Sequence, residues 1–199
     1  MARNLLANLS RGIGVGLAAC CLNAGALAKP VQDDAKILGI YIQVTSFDIE
    51  SALLGIAQGD AESVRALATH VATDHLAVRQ AAYQLAAQCK LTPMLTDDRL
   101  DAARIHDRDL SSLLPLHGIA FDKAFLAYEV AFHRTAIDTV KELLLPATKC
   151  PELQSHFKQA LPAFEQHFAH TEMLATELHA ISPKQQSPTN PVHEHVRHK

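Results

Sequence analysis

The sequence predicts an all-α domain, an up-down bundle of four helices preceded by a short N-terminal helix. Three observations carry this. Ala and Leu dominate a chain of 199 residues in which Gly numbers only 8 and Trp is absent, a composition that favours helices over sheets. Apolar residues recur at helical spacing along the middle of the chain, and no strand-like alternation competes. Short breaks containing Gly or Pro separate the periodic segments, and short loops join antiparallel neighbours.

The elements follow in order. A short helix is predicted from about Phe47 to Gln58, broken by Gly59-Asp60. Helix A covers about Glu62 to Cys89 and stops at Leu91-Thr92-Pro93. Helix B covers about Asp98 to His117, with Gly118 as its stop signal, and helix C runs from about Ala120 to Leu145, ended by Pro146. Helix D starts near Pro151, a favourable first-turn residue, and continues to about His179. Residues 29–45 read as a linker, residues 46–181 as the helical domain, and residues 182–199 as a disordered polar tail carrying His193, His195 and His198.

Residues 1–28 read as a secretory signal. Arg3 and Arg11 form a basic n-region, Ile13 to Leu22 is an apolar run, and Ala26-Leu27-Ala28 supplies a small-x-small cleavage site. That run is too short for a permanent membrane span. Leu17-Ala18-Ala19-Cys20 offers a competing lipobox, in which a lipidated Cys20 anchors the protein to the outer membrane. Both readings export the chain, to the periplasm or beyond. Cleavage leaves Cys89 and Cys150, which in an oxidising compartment either pair or remain two buried thiols. The predicted topology puts Cys89 and Cys150 at the same end of the bundle, where a disulfide is geometrically plausible.

The net charge of -3, with both signs interspersed, gives no nucleic-acid surface. There is no G-x-S-x-G, P-loop, G-x-G-x-x-G, H-E-x-x-H or C-x-x-C. The informative residues are ionisable ones standing in apolar seams. Helix A carries His75 in the seam Val64, Ala68, Val71, Val78, Ala82, Leu85. His133 interrupts the seam of helix C, and His167 that of helix D. Glu50 is the odd member of Phe47, Leu54 and Ala57, and His106 belongs to a less clear stripe on helix B. Counted from the helix ends, the four His fall in one layer roughly 16–20 Å up the bundle.

Two explanations satisfy such a layer. Its members hydrogen-bond one another and fix helix register, or they hold a Zn, Cu or Fe ion through Glu50, His75, His106, His133 and His167. The pairs Glu129/His133 and His70/Asp74 each share a helix face at i,i+4, a weak signal because such pairs are frequent on solvated helix surfaces, and His170 faces outward from His167.

At Phe47 with Glu50, Thr73-Asp74-His75, Gly118-Ile119-Ala120-Phe121-Asp122 leading to His133, and Leu161-Pro162 leading to His167, the chain resembles the bacterial domain of unknown function 4142 family. The resemblance spans about Phe47 to Leu178. Phe125, Ala127, Glu129 and Ala52 depart from its usual residues. It implies an exported, ferritin-like helical bundle and no established reaction. Ferritin-like di-iron enzymes use Glu-x-x-His, which this chain lacks. The expectation is a non-catalytic envelope protein, acting through an envelope partner, with a metal-binding or metal-dependent redox protein as the alternative.

Overall fold

The computed structural model describes residues 33–181, and these are all-helical. The segment predicted to be a signal, Cys20 and the His-containing tail lie outside the described residues. Helices α1 (Asp34–Gln58), α2 (Glu62–Gln88), α3 (Asp98–Leu113) and α4 (Gly118–Asp138) follow in order. A π-helical turn, Thr139–Leu144, extends α4 into the short α5 (Leu145–Ala147), and α6 (Pro151–Glu177) completes the fold. Pro146 stands one residue beyond the widened turn, where its missing N–H and its ring, which would crowd the carbonyl four residues earlier, disfavour regular α-helical spacing.

Helix α1 corrects two expectations. The linker predicted through residue 45 is helical from Asp34, and the short first helix is 25 residues long. Its first half, Ile37 to Val44, is apolar nearly all round, so it has no polar face to reveal a helical period. It is long and apolar enough to cross a membrane by composition, but half of that window is buried in the fold. Ile37, Leu38 and Tyr41 are core residues. Gly39 permits this packing, because a Cβ there would lie 1.9 Å from the Met94 carbonyl oxygen in the α2–α3 connection.

Helix boundaries elsewhere move less. Helix α3 stops at Leu113, four residues before the predicted His117, and Gly118 opens α4 instead of closing α3. Gly118 has φ +59, the left-handed region that glycine enters without steric cost. Only His106 and Leu113 of α3 are buried, so the member expected to be an equal partner in the core contributes little to it.

Two apolar clusters fill the interior. One joins Ala52 of α1, Val64 to Ala72 of α2, Phe121 to Val130 of α4 and Leu174 of α6. The other joins Ile37 to Tyr41 of α1, Ala82 to Ala86 of α2, Ile137 to Leu144 beyond α4, and Leu153 to Phe164 of α6. The C-terminal halves of α1 and α6 thus meet the N-terminal halves of α2 and α4, and the opposite halves meet at the other end. Between the clusters each of these four helices buries polar residues, among them Asp48, His75, His133 and His167.

Two carboxylates, Asp122 buried and Asp34 partly exposed, fasten the ends. Asp122 of α4 accepts hydrogen bonds from the Asp60 and Ala61 amides, each at 2.8 Å, and so caps the entrance to α2. Asp34 of α1 accepts from the Lys149 and Cys150 amides at 2.8 and 2.7 Å. Beside it Cys89 and Cys150 form a disulfide, with Cα atoms 6.1 Å apart. The pairing that topology made plausible is therefore present, and the alternative of two free thiols is not.

Candidate metal centre

Between the two apolar clusters lie Asp48 (α1), His75 (α2), Glu129 and His133 (α4) and His167 (α6), all buried. Each helix reaches the layer because its seam continues in steps of three and four through it. On α1 the buried series runs Leu38, Tyr41, Thr45, Asp48, Ala52 and Gly55.

The three imidazoles predicted to converge do so. His75, His133 and His167 each offer a ring nitrogen within 4.8 Å of the others, and Asp48, Glu129 and His133 form a second such group. His75 Nε2 lies 3.0 Å from Asp48 Oδ2, and His133 Nε2 lies 3.5 Å from the same oxygen.

Glu50 and His106 stand apart, correcting the predicted set. The Glu50 side chain is 56% exposed, whereas Asp48 is 1% exposed. Taking Phe47 and Leu54 as the seam of α1 rotated the helix by about one residue, which put Glu50 inside and Asp48 outside. His106 is buried but serves elsewhere. Its ring stacks on Phe47, with Nδ1 3.0 Å from the Tyr128 hydroxyl and Nε2 3.2 Å from Glu50. Glu129, a weaker candidate from its i,i+4 spacing to His133, is fully inside. Asp74, weak on the same ground, reaches His167 Nε2 at 2.9 Å.

Hydrogen bonds at the rim orient the rings. His133 Nδ1 is 2.9 Å from the Glu129 carbonyl, which can only accept, so Nδ1 carries the proton and Nε2 presents a lone pair. The Asp74 carboxylate does the same for His167: Nε2–H donates to it and Nδ1 points inward. Carbonyls and carboxylates behind the imidazoles are the arrangement that fixes metal-ligating histidines.

The interior of the layer is poorly satisfied. Among the described residues eight buried side-chain polar atoms have no hydrogen-bond partner, and seven belong here. They are Asp48 Oδ1, both His75 nitrogens, both Glu129 carboxyl oxygens, His133 Nε2 and His167 Nδ1. The close His75–Asp48 approach has the distance of a hydrogen bond but not its direction, which is why Nε2 remains unpaired. The Ser51 hydroxyl beside Glu129 is donated to the Asp48 carbonyl at 3.0 Å. Unpaired groups of this kind each cost about 1–3 kcal/mol.

Electrostatics agree. Burial pushes the Asp48 carboxyl well above its ordinary range. Burial, with Asp48 nearby, raises Glu129 to about 8, although His133 opposes the shift. Burial lowers His75, and the neighbouring His133 and His167 lower it further. His167 is lowered by burial against the opposing hydrogen bond to Asp74. The layer thus disfavours both anionic carboxylates and cationic imidazoles, and a bound cation would reverse the first preference.

This has a measurable consequence for metal-stripped protein. Glu129 holds its proton to about 8 when folded but releases it near 4.5 when unfolded, so stability from this group falls as pH rises between those values. His75 acts oppositely, because the unfolded chain binds its proton below 6.5 while the folded chain resists it. Above 6.5 the carboxyls alone act. Thermal melts are expected to show stability declining as the pH is raised from 6.5 to 8, and Glu129→Gln is expected to reduce that slope.

A cavity of about 20 Å³ borders Asp48, His75 and His133, with Tyr41, Ile137 and Phe164 among its apolar walls. It has room for one water-sized group.

Residues 21–174 match the family model described as a domain of unknown function (DUF4142). The chain belongs to this family. No curated protein and no solved structure matches it. The match extends over α1 to α4 and most of α6, so every residue of the buried layer lies within the DUF4142 region.

Proposed function

We propose that this is an exported metal-binding protein of ferritin-like four-helix architecture. In this reading α1, α2, α4 and α6 are the bundle, and α3 is a crossover packed outside it. One first-row transition ion of the Zn, Cu or Fe class is held by His75, His133, His167 and Asp48, with Glu129 as the adjoining carboxylate.

The observation that carries the reading is the convergence of seven unpartnered buried donor atoms on one layer. A purely structural polar layer, the reading first favoured from sequence, requires those atoms to satisfy one another, and their lack of partners supports ligation of an ion over it. Imidazoles with carboxylates suit Zn, Cu and Fe better than Mg or Ca. A di-iron centre of the usual ferritin-like kind fits poorly, because Glu129 and His133 are spaced i,i+4 and no Glu-x-x-His exists. The adjoining cavity admits nothing larger than a water-sized group, which favours ion binding or small-molecule redox chemistry over hydrolysis of an organic substrate.

Export is supported by the basic and apolar segments ahead of Ala28 and by the Cys89–Cys150 disulfide, a bond of oxidising compartments. Mass spectrometry of the mature N-terminus distinguishes cleavage after Ala28 from lipidation at Cys20.

The test of metal binding is elemental analysis of full-length protein in which His193, His195 and His198 are replaced by Ala, which silences the tail. One ion per chain is expected, and background levels after His133→Ala. Equal and negligible metal in both proteins would sink the proposal.

A further inference from the structure

A polar connection runs from the buried layer to the surface through His167. The Nδ1 of that ring faces inward without a partner, while Nε2 is 2.9 Å from Asp74 Oδ2. Asp74 in turn stands 3.6 Å from His70 Nε2, one turn earlier on α2. His70 and Asp74 are 55% and 40% exposed, whereas His167 is buried. His70, Asp74 and His167 each offer a donor atom within 4.8 Å of the other two.

We propose that His70, Asp74 and His167 form an outer transition-metal site through which a divalent cation is loaded into the buried centre. The inference rests on the metal-binding reading above and adds a second site and a route. Exposed His-Asp pairs at i,i+4 are commonplace on helices, and two features separate this one. The third donor comes from a different helix, α6, and it is itself a member of the inner group. The His167 ring lies 5.1 Å from that of His70 and 5.4 Å from that of His75, so one imidazole faces both groups. An ion can exchange ligands stepwise, from His70 and Asp74 to His167, whose Nε2 proton is released to solvent as the ion binds, and then to His75, His133 and Asp48.

The opposite approach offers no such donors. The small cavity beside Asp48 is walled mainly by Val44, Ala136, Ile137, Val140 and Leu144, the Thr45 and Thr139 hydroxyls in it are donated to backbone carbonyls, and stripping a divalent ion of water there is costly. If Asp74 served only to orient His167, His70 would have no part, because Asp74 makes that hydrogen bond unaided.

The experiment is stopped-flow loading of chelator-stripped full-length protein, its three tail histidines replaced by Ala, with Co²⁺ followed by its visible absorption. His70→Ala is expected to slow loading about tenfold while leaving the final stoichiometry at one ion, since a capture site governs encounter. His70→Asp, which keeps a donor, is expected to retain most of the rate. Loading of His70→Ala within twofold of the parent protein overturns the outer site and leaves the buried centre standing. Equal slowing by His70→Asp also overturns it, because ligation would then not be the cause. Failure of the parent protein to take up Co²⁺ at all removes the buried centre and the route together.

Discussion

Saturating Zn²⁺ is expected to raise the melting temperature of metal-stripped protein by about 10 °C. An ion present at a thousand times its dissociation constant stabilises the folded state by about 4 kcal/mol, and each kcal/mol moves the midpoint of a domain this size by about 2–4 °C. On the proposed reading the ion would occupy the lone pairs of His133 Nε2, His167 Nδ1 and Asp48 Oδ1, which the chain alone leaves unpaired. His133→Ala is expected to abolish the shift. Glu129→Met supplies a test of opposite sign. Replacing two unpartnered carboxyl oxygens with an apolar side chain of similar size is expected to stabilise the metal-stripped protein by about 1–2 kcal/mol. A layer whose members satisfied each other would instead be destabilised by that change. Differential scanning calorimetry with and without Zn²⁺ reads all three.

The second large effect is at the end of the bundle. Cys89 and Cys150 are 61 residues apart in sequence, so their bond removes considerable loop entropy from the unfolded chain. Replacing both with Ser is expected to cost about 4 kcal/mol on the chain-entropy relation. Urea titration of the oxidised protein against the double variant measures this directly. The loss is expected mainly in stability and little in metal affinity. His75 and Cys89 are separated along α2 by about 20 Å of helix, and the rings are oriented by Asp74 and the Glu129 carbonyl, not by the disulfide. A double variant of unchanged stability would mean that the clamp of Asp34 on Lys149 and Cys150 already does the work assigned to the bond.

Periodicity read α2, α4 and α6 well because their seams alternate cleanly with charged faces. His75, His133 and His167 were legible for that reason: each breaks an otherwise apolar stripe. The first helix was not legible to the same degree. Its N-terminal half is apolar on every side, and its C-terminal half buries Thr45, Asp48 and Ser51, so burial and hydropathy diverge along it. A seam traced backward from Ala52 in steps of four and three reaches Asp48, Thr45 and Tyr41, and that trace would have exchanged Glu50 for Asp48. Glu129 and Asp74 were hidden differently. An i,i+4 carboxylate–histidine pair looks the same on a surface and in a core, and only the neighbouring helices decide which it is. His106 resembled a layer member by height, but α3 lies against α1 and α4 from outside, where Glu50 and Tyr128 satisfy it.

The two carboxylate clamps bear on the accuracy with which Asp48 is held. Helix α1 contributes one carboxylate to the layer and is fastened at both extremities. Its first turn is tied through Asp34 to the entrance of α6, and the chain leaving it is tied through Asp122 to the first turn of α4. A rod pinned at both ends has no longitudinal play. Asp48 therefore cannot retreat along the bundle axis to escape Glu129 or to seek a better hydrogen bond, and its spacing to the imidazoles is held against the electrostatic discomfort of the layer. Polar groups at the two ends of α1 thus help to set the spacing of a layer they do not touch.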